Sequence, residues 1–104
     1  MIRTLFAAAF VSGTALAPSA PAQGADPNLG RNLAAACATC HGTNGASRQG
    51  MPNLAGQQRS YLAQQMQDFR AGKRPATIMH QIAKGYTDEQ IDALAAYFSE
   101  QRAR

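Results

Sequence analysis

The hexapeptide Cys-Ala-Thr-Cys-His-Gly, residues 37–42, constrains this chain more than any other stretch. It holds both of the chain's cysteines and one of its two histidines. Two thiols three positions apart, with an imidazole directly behind the second, admit three chemistries: a redox disulfide, half of a metal site, or a covalently attached heme. A thioredoxin-like pair belongs in a strand-helix-strand setting, and no stretch of this sequence alternates convincingly as a strand. A structural zinc ion takes four ligands. The whole supply here is Cys37, Cys40, His41 and His80, and adjacent Cys40 and His41 are poorly placed to hold one tetrahedral ion together. C-x-x-C-H, by contrast, is the attachment signature of c-type heme. At the end of a helix this spacing lets the two thiols reach the two vinyl groups of one porphyrin, and the following imidazole swings under the iron. The motif predicts one heme c, bound covalently through Cys37 and Cys40, with His41 as proximal iron ligand.

The amino terminus points to the compartment where such attachment takes place. One early charge, Arg3, precedes an apolar run from Leu5 to Leu16, and small residues and prolines follow. That is the layout of a secretory signal peptide, and the run falls short of the roughly 20 apolar residues of a membrane span. Ala20-Pro21-Ala22 satisfies the small-x-small rule for cleavage. Ala15-Leu16-Ala17 also fits but would leave Pro18 just after the cut. Residues 1–22 are therefore expected to be a signal peptide, residues 23–104 one domain, and the mature protein periplasmic without stable membrane insertion.

Cleavage after Ala22 removes 22 of the 104 residues and leaves 82. A domain of that size buries a small core and usually needs a staple, and a covalent cofactor serves better than a short Cys37–Cys40 disulfide loop. The mature part carries nine Lys and Arg against six Asp and Glu, a net of +3. The basic residues lie in both halves, with no arginine-rich arm and no aromatic-basic interleave, which argues against nucleic acid and for an acidic protein surface.

The mature chain reads as all-α, three main helices and a short one. Leu29, Leu33 and Ala36 give the first stretch, up to Cys37, a helical period, with Asp26 or Asn28 able to cap it. Residues 42–56, dense in Gly, Asn, Ser and Pro, read as loop. Ser60 is a plausible cap for a helix bearing the apolar stripe Leu62, Met66 and Phe69 and stopping at Gly72. A turn at Pro75 leads into a short helix ending at Gly85. Thr87 and Gln90 form a capping box, with Asp88 and Glu89 at the positive end of the dipole. Ile91, Leu94, Ala95 and Phe98 make one apolar face, with Tyr97 beside it.

The sixth iron ligand has four candidates: Met51, Met66, Met79 and His80. Met51 lies ten residues beyond His41, a short path around the ring. Met66 sits on an apolar stripe, where methionine is more often core filling. Met79 follows the Pro75 turn, and its apolar neighbours Ile78 and Ile82 suit a thioether in a dry pocket, so Met79 is preferred over His80. Methionine-histidine ligation raises the reduction potential. The proximal imidazole also needs an acceptor for its other ring N–H, and the Pro52 carbonyl is preferred for it over a reading in which Pro52 merely turns the loop.

The segments CATCHG, PNLAGQ, YLAQQMQDFRAGKR and IMHQIAKGYTDEQIDALAAYF together resemble the class I c-type cytochromes. More closely, they are similar to the heme domains of flavocytochrome c sulfide dehydrogenase and of related periplasmic diheme cytochromes. The similarity runs from Gly30 to Phe98. It implies thioether bonds at Cys37 and Cys40, axial His41 and Met79, support of His41 by Pro52, and a helix crossing with Gly30 against Tyr97. Several relatives carry two such domains; this chain has one attachment motif.

The expected function is electron transfer by a periplasmic single-heme protein, not an enzyme. The resemblance implies redox protein partners, among them a separate flavoprotein subunit that would oxidise sulfide; this chain, with no flavin-binding glycine motif, would not do that chemistry alone. A free diffusible carrier is the alternative, and a heme enzyme or sensor with an open sixth site is poorly supported. Arg48, Arg59, Lys73 and Arg74 are the charges that could steer partners or meet the heme propionates.

Overall fold

A computed structural model describes residues 7–17, 26–48 and 50–103. Five α-helices follow one another: α1 Leu29–Ala34, α2 Ala38–His41, α3 Arg59–Arg70, α4 Met79–Ala83 and α5 Asp88–Ser99. A 3-10 turn, Thr43–Gly45, follows α2. No strand occurs among the described residues, in keeping with the all-α expectation.

The first helix differs from its expected extent. The period of Leu29, Leu33 and Ala36 predicts one helix to Cys37, whereas the chain tightens after Ala34. Ala36 N–H bonds Leu33 O and Cys37 N–H bonds Ala34 O, both i to i−3 contacts, before the helical ladder resumes in α2. Cys37 keeps helical dihedrals, φ −72° and ψ −28°, so the break is a change of hydrogen-bond spacing rather than of direction. Ser60 is not a cap either. The helix begins two residues earlier than that cap implies, at Arg59, with Gln58 at the cap position and no side-chain cap bond. The capping box of α5 is complete: Thr87 Oγ1 accepts from Gln90 N–H at 3.2 Å and Gln90 Oε1 from Thr87 N–H at 2.9 Å.

Helix α5 organises the rest. Ile91, Leu94, Ala95 and Phe98 are buried, as their 3–4 residue spacing demands. Burying each large side chain among them contributes about 1.5–3 kcal/mol. Both α1 and α3 pack against α5. The α1–α5 crossing depends on Gly30. A Cβ there would stand 2.5 Å from the Ala93 carbonyl oxygen and 3.0 Å from Tyr97 Cβ, so a side chain would hold the two backbones apart. Two contacts fasten the neighbouring elements. The Tyr97 hydroxyl donates to Asn44 Oδ1 at 2.7 Å, and Arg70 bonds both Asp88 and the Tyr86 carbonyl, joining α3 to the start of α5.

Gly45 ties the loop after α2 to this core. With φ at +78°, a conformation costly to residues with a Cβ, its carbonyl accepts from Leu54 N–H at 2.9 Å and Ala55 N–H at 3.2 Å. A Cβ at Gly45 would meet the Phe98 ring at 2.7 Å.

Residues 7–17 form no regular structure. Phe10, Val11 and Leu16 are each more than 90% exposed, so this apolar run adds nothing to the core. The remainder of the expected signal peptide, including the cut after Ala22, lies outside the described residues. No helix among the described residues is long and apolar enough to cross a membrane.

Candidate functional site

The helices do not close on a solid core. They surround a cavity of about 600 Å³, inside the 300–1,000 Å³ range of small-molecule and cofactor sites. Of the five residues in the buried core cluster, Leu62, Leu94, Ala95 and Phe98 also line this cavity. What fills the space is therefore continuous with the hydrophobic core itself.

Each wall follows from local structure. Residues 37–41 bring Cys37, Cys40 and His41 to one wall, and the loop beyond supplies Met51, Pro52, Leu54 and Gln57. Helix α3 contributes Tyr61, Leu62, Gln65, Met66 and Phe69, a spacing of three and four that keeps them on one helix face. Met79 and Ile82 come from α4, preceded by Ile78, and Tyr86 and α5 complete the enclosure. The stripe Leu62, Met66 and Phe69 thus lines the cavity, where the sequence alone suggested core filling. Three methionines, Met51, Met66 and Met79, face the space, whereas His80 is not part of the lining and its Nδ1 is buried without a partner.

All five residues singled out from the sequence, Cys37, Cys40, His41, Met79 and Pro52, line this one cavity. Both cysteines are free thiols, Cys40 exposed and Cys37 half-buried. Burial pushes the Cys37 thiol above its ordinary value, with a smaller opposing effect from a backbone hydrogen bond, so it remains protonated at neutral pH. Burial likewise raises the Tyr86 hydroxyl, with a further rise from charge on Cys37. His41 is 7% exposed, and its Nδ1 lies 2.7 Å from the Pro52 carbonyl oxygen. A carbonyl only accepts, so the proton sits on Nδ1 and Nε2 keeps its lone pair. That is the form in which an imidazole ligates a metal.

The loop that places Pro52 is itself held. Asn53 Oδ1 accepts from Ser47 N–H at 3.3 Å, Asn53 Nδ2 donates to the Ala55 carbonyl at 2.9 Å, and Gln57 Nε2 donates to the Asn53 carbonyl at 3.2 Å. Sequence reasoning left out Tyr86 and Gln65 as wall residues. Tyr86 had a signal: it precedes the Thr87 cap, the position where a hydrophobic residue staples back onto the helix. Gln65 had none, since a polar residue on α3 reads as surface.

The donor set fits a heme. Two thiols, a buried imidazole with a free nitrogen and three thioethers border an otherwise mostly apolar space large enough for a macrocycle. The family comparisons agree. The cytochrome c family profile matches residues 28–101. The chain is 42% identical over 69 residues to the cytochrome subunit of sulfide dehydrogenase from Chlorobaculum tepidum, covering 66% of this chain and 63% of that one. It is 39% identical to cytochrome c-554(548) of Halomonas halodenitrificans, over 73% of this chain and 96% of the relative. Among solved structures it superposes on cytochrome c4 from Pseudomonas stutzeri with a TM-score of 0.64 and 30% identity, over 74% of this chain and 50% of that chain. The chain thus spans less than two thirds of the sulfide dehydrogenase subunit and half of the cytochrome c4 chain. With its helical fold, its C-x-x-C-H-bearing cavity and a family match over most of its length, the chain belongs to the cytochrome c family, whose hallmark is a covalently bound heme c.

Proposed function

We propose that this chain is a periplasmic, single-heme electron carrier and that it accepts electrons from a flavin-dependent sulfide dehydrogenase. Residues 1–22 are its signal peptide and residues 23–104 its one domain. Cys37 and Cys40 would hold the porphyrin through thioether bonds, His41 Nε2 and Met79 would ligate the iron, and the Pro52 carbonyl would fix His41. The observation that carries this reading is the convergence of all five side chains on one cavity. Met79 is preferred over His80 because only the former reaches the cavity wall.

Bound there, a heme c supplies a one-electron Fe³⁺/Fe²⁺ couple whose potential is raised by methionine-histidine ligation. The protein's own residues do the rest. Leu62, Leu94, Ala95 and Phe98 keep water out of the cavity and hold its shape, which keeps reorganisation small. The His41–Pro52 hydrogen bond locks the imidazole's tautomer and orientation. Exposed Met51, Tyr61, Ile78 and Ile82 ring the mouth, an apolar rim of the kind that marks a protein docking site.

The sulfide assignment draws on the likeness to a sulfide dehydrogenase subunit. The likeness to cytochrome c-554(548), covered over nearly its whole length, favours a second reading, a free carrier with no fixed partner. An optical spectrum of the protein purified mildly from its host's periplasm, before and after sulfide, separates them. Heme bands with flavin absorbance, reduced by sulfide, support the subunit. Heme bands alone, reduced by ascorbate but indifferent to sulfide, establish the free carrier instead.

A further inference from the structure

The turn after α2 carries a chemically labile pair. Asn44 is followed by Gly45, whereas the other asparagines, Asn28, Asn32 and Asn53, are each followed by leucine. An asparagine side-chain amide is open to attack by the backbone nitrogen of the next residue. Glycine leaves that nitrogen unshielded, and a leucine side chain covers it. Asn44 is also exposed, so its neighbour and its accessibility both mark it for hydrolysis.

The fold opposes this. Asn44 has φ +54° and ψ +23° and is the one non-glycine residue with positive φ among the described residues. Gly45 follows at φ +78°, and Ala46 N–H closes the turn on the Thr43 carbonyl at 3.1 Å. Two successive positive φ values are what a type I′ turn requires, and Asn-Gly is the pair that adopts them most readily. At that ψ the Gly45 nitrogen points away from the Asn44 side chain, and no five-membered ring can close until ψ rotates. Both reacting groups are also tied down. Gly45 N–H donates to the Gly42 carbonyl at 2.9 Å, and Asn44 Oδ1 accepts from the Tyr97 hydroxyl at 2.7 Å. Tyr97 stands on α5 at the Gly30 crossing, so the guard on Asn44 lasts only while α5 is packed.

We propose that Asn44 is a deamidation site that the heme-loaded fold keeps closed and that opens when the fold is lost. The proposal rests on the reading of this cavity as the heme site. In the open chain the Gly45 nitrogen gives up its proton and attacks the Asn44 amide carbon. The bond from that carbon to the side-chain nitrogen breaks, and the nitrogen leaves with the proton as ammonia. Water then opens the succinimide at either carbonyl, giving aspartate or isoaspartate, with no change of oxidation state. Isoaspartate adds an extra carbon to the main chain of the turn. The Gly45 carbonyl, which accepts from Leu54 and Ala55 N–H, is then displaced, and with it the loop that presents the Pro52 carbonyl to His41. Deamidation thus retires chains that stay unfolded for want of heme.

The test is peptide mass analysis of the heme-loaded protein aged in mildly alkaline buffer, native and in guanidinium chloride, where thioether-bound heme stays attached. Y97F, which lacks only the hydroxyl, is aged natively beside wild type. In denaturant, conversion at Asn44 should outrun that at Asn28, Asn32 and Asn53. Native wild type should convert at least about 25-fold more slowly than denatured, about fivefold for each of the two guarding hydrogen bonds. Native Y97F should convert about fivefold faster than native wild type, with its heme spectrum unchanged. Protein aged in denaturant and returned to buffer should unfold at a lower denaturant concentration than protein denatured briefly. Equal rates at Asn44 in native and denatured wild type would overturn the proposal alone, as would native Y97F at the wild-type rate or equal unfolding midpoints. Wild type exported without covalent heme would overturn the reading of the cavity together with the heme dependence that rests on it.

Discussion

The mature chain without heme should not fold. The cavity measures about 600 Å³, and an unfilled apolar cavity destabilises by about 24 cal/mol per Å³. Leaving this one empty and dry would cost at most about 14 kcal/mol, and water entering at the mouth lowers that. A domain of about 80 residues has a total stability of about 4–12 kcal/mol, so even a fraction of the penalty is comparable with everything the fold has. The core offers no refuge, because four of the five residues of its buried cluster are themselves cavity wall. Collapse around the void would have to displace Leu62, Leu94, Ala95 and Phe98 from the packing that joins α3 to α5. Residues 23–104, produced in a compartment where heme is not attached, should keep part of their helical far-ultraviolet signal but lose near-ultraviolet dichroism from the tyrosines. They should also bind a hydrophobic dye and melt without a cooperative transition. A sharp near-ultraviolet spectrum and a cooperative melt in that material would refute the reasoning, since the fold would then be shown to stand on α1, α3 and α5 alone.

Other outcomes follow from particular contacts. Gly30→Ala gains about 1 kcal/mol of helix propensity but puts a Cβ 2.5 Å from a backbone oxygen that cannot rotate away. Overpacking at about 1–3 kcal/mol should leave a net loss of up to about 2 kcal/mol in denaturant unfolding of the holoprotein. Gly85→Ala, whose Cβ would meet nothing closer than 3.4 Å, should lose nothing, and equal stabilities would contradict the crossing argument. Met79→Ala should turn the holoprotein high-spin and able to bind added imidazole or cyanide; an unchanged optical spectrum would remove Met79 as ligand. Asn53→Ala deletes two loop hydrogen bonds beside Pro52 and should cost about 1–3 kcal/mol, with a lowered midpoint potential if His41 is loosened. Thr87→Ala breaks the capping box of α5 and should cost about 1 kcal/mol with the heme spectrum intact.

Local signals carried much of this into the sequence. Cys37, Cys40 and His41 are adjacent in the chain, so their chemistry is legible without a fold. The capping box and apolar face of α5 obey short-range rules, and the helix is found where they put it. What was not legible depends on packing. The break between α1 and α2 is a shift in hydrogen-bond spacing within one run of alanines, for which side chains give no cue. The Leu62, Met66 and Phe69 stripe has the same period whether it meets protein or a cofactor, so periodicity alone could not show that it faces a cavity. Gln65 and Arg74 bond each other, with Arg74 over the Phe69 ring, only once the chain is folded. That arrangement joins residues up to nine positions apart across a helix end, beyond the reach of any helical pattern.

The most direct test of the account is the intact mass of the exported protein in denaturant. Denaturation strips away any ligand held by packing or iron coordination alone, but leaves thioether bonds at Cys37 and Cys40 in place. The account predicts the mass of residues 23–104 plus one heme. A mass equal to the bare polypeptide, or to a polypeptide with the two thiols joined as a disulfide, would contradict it.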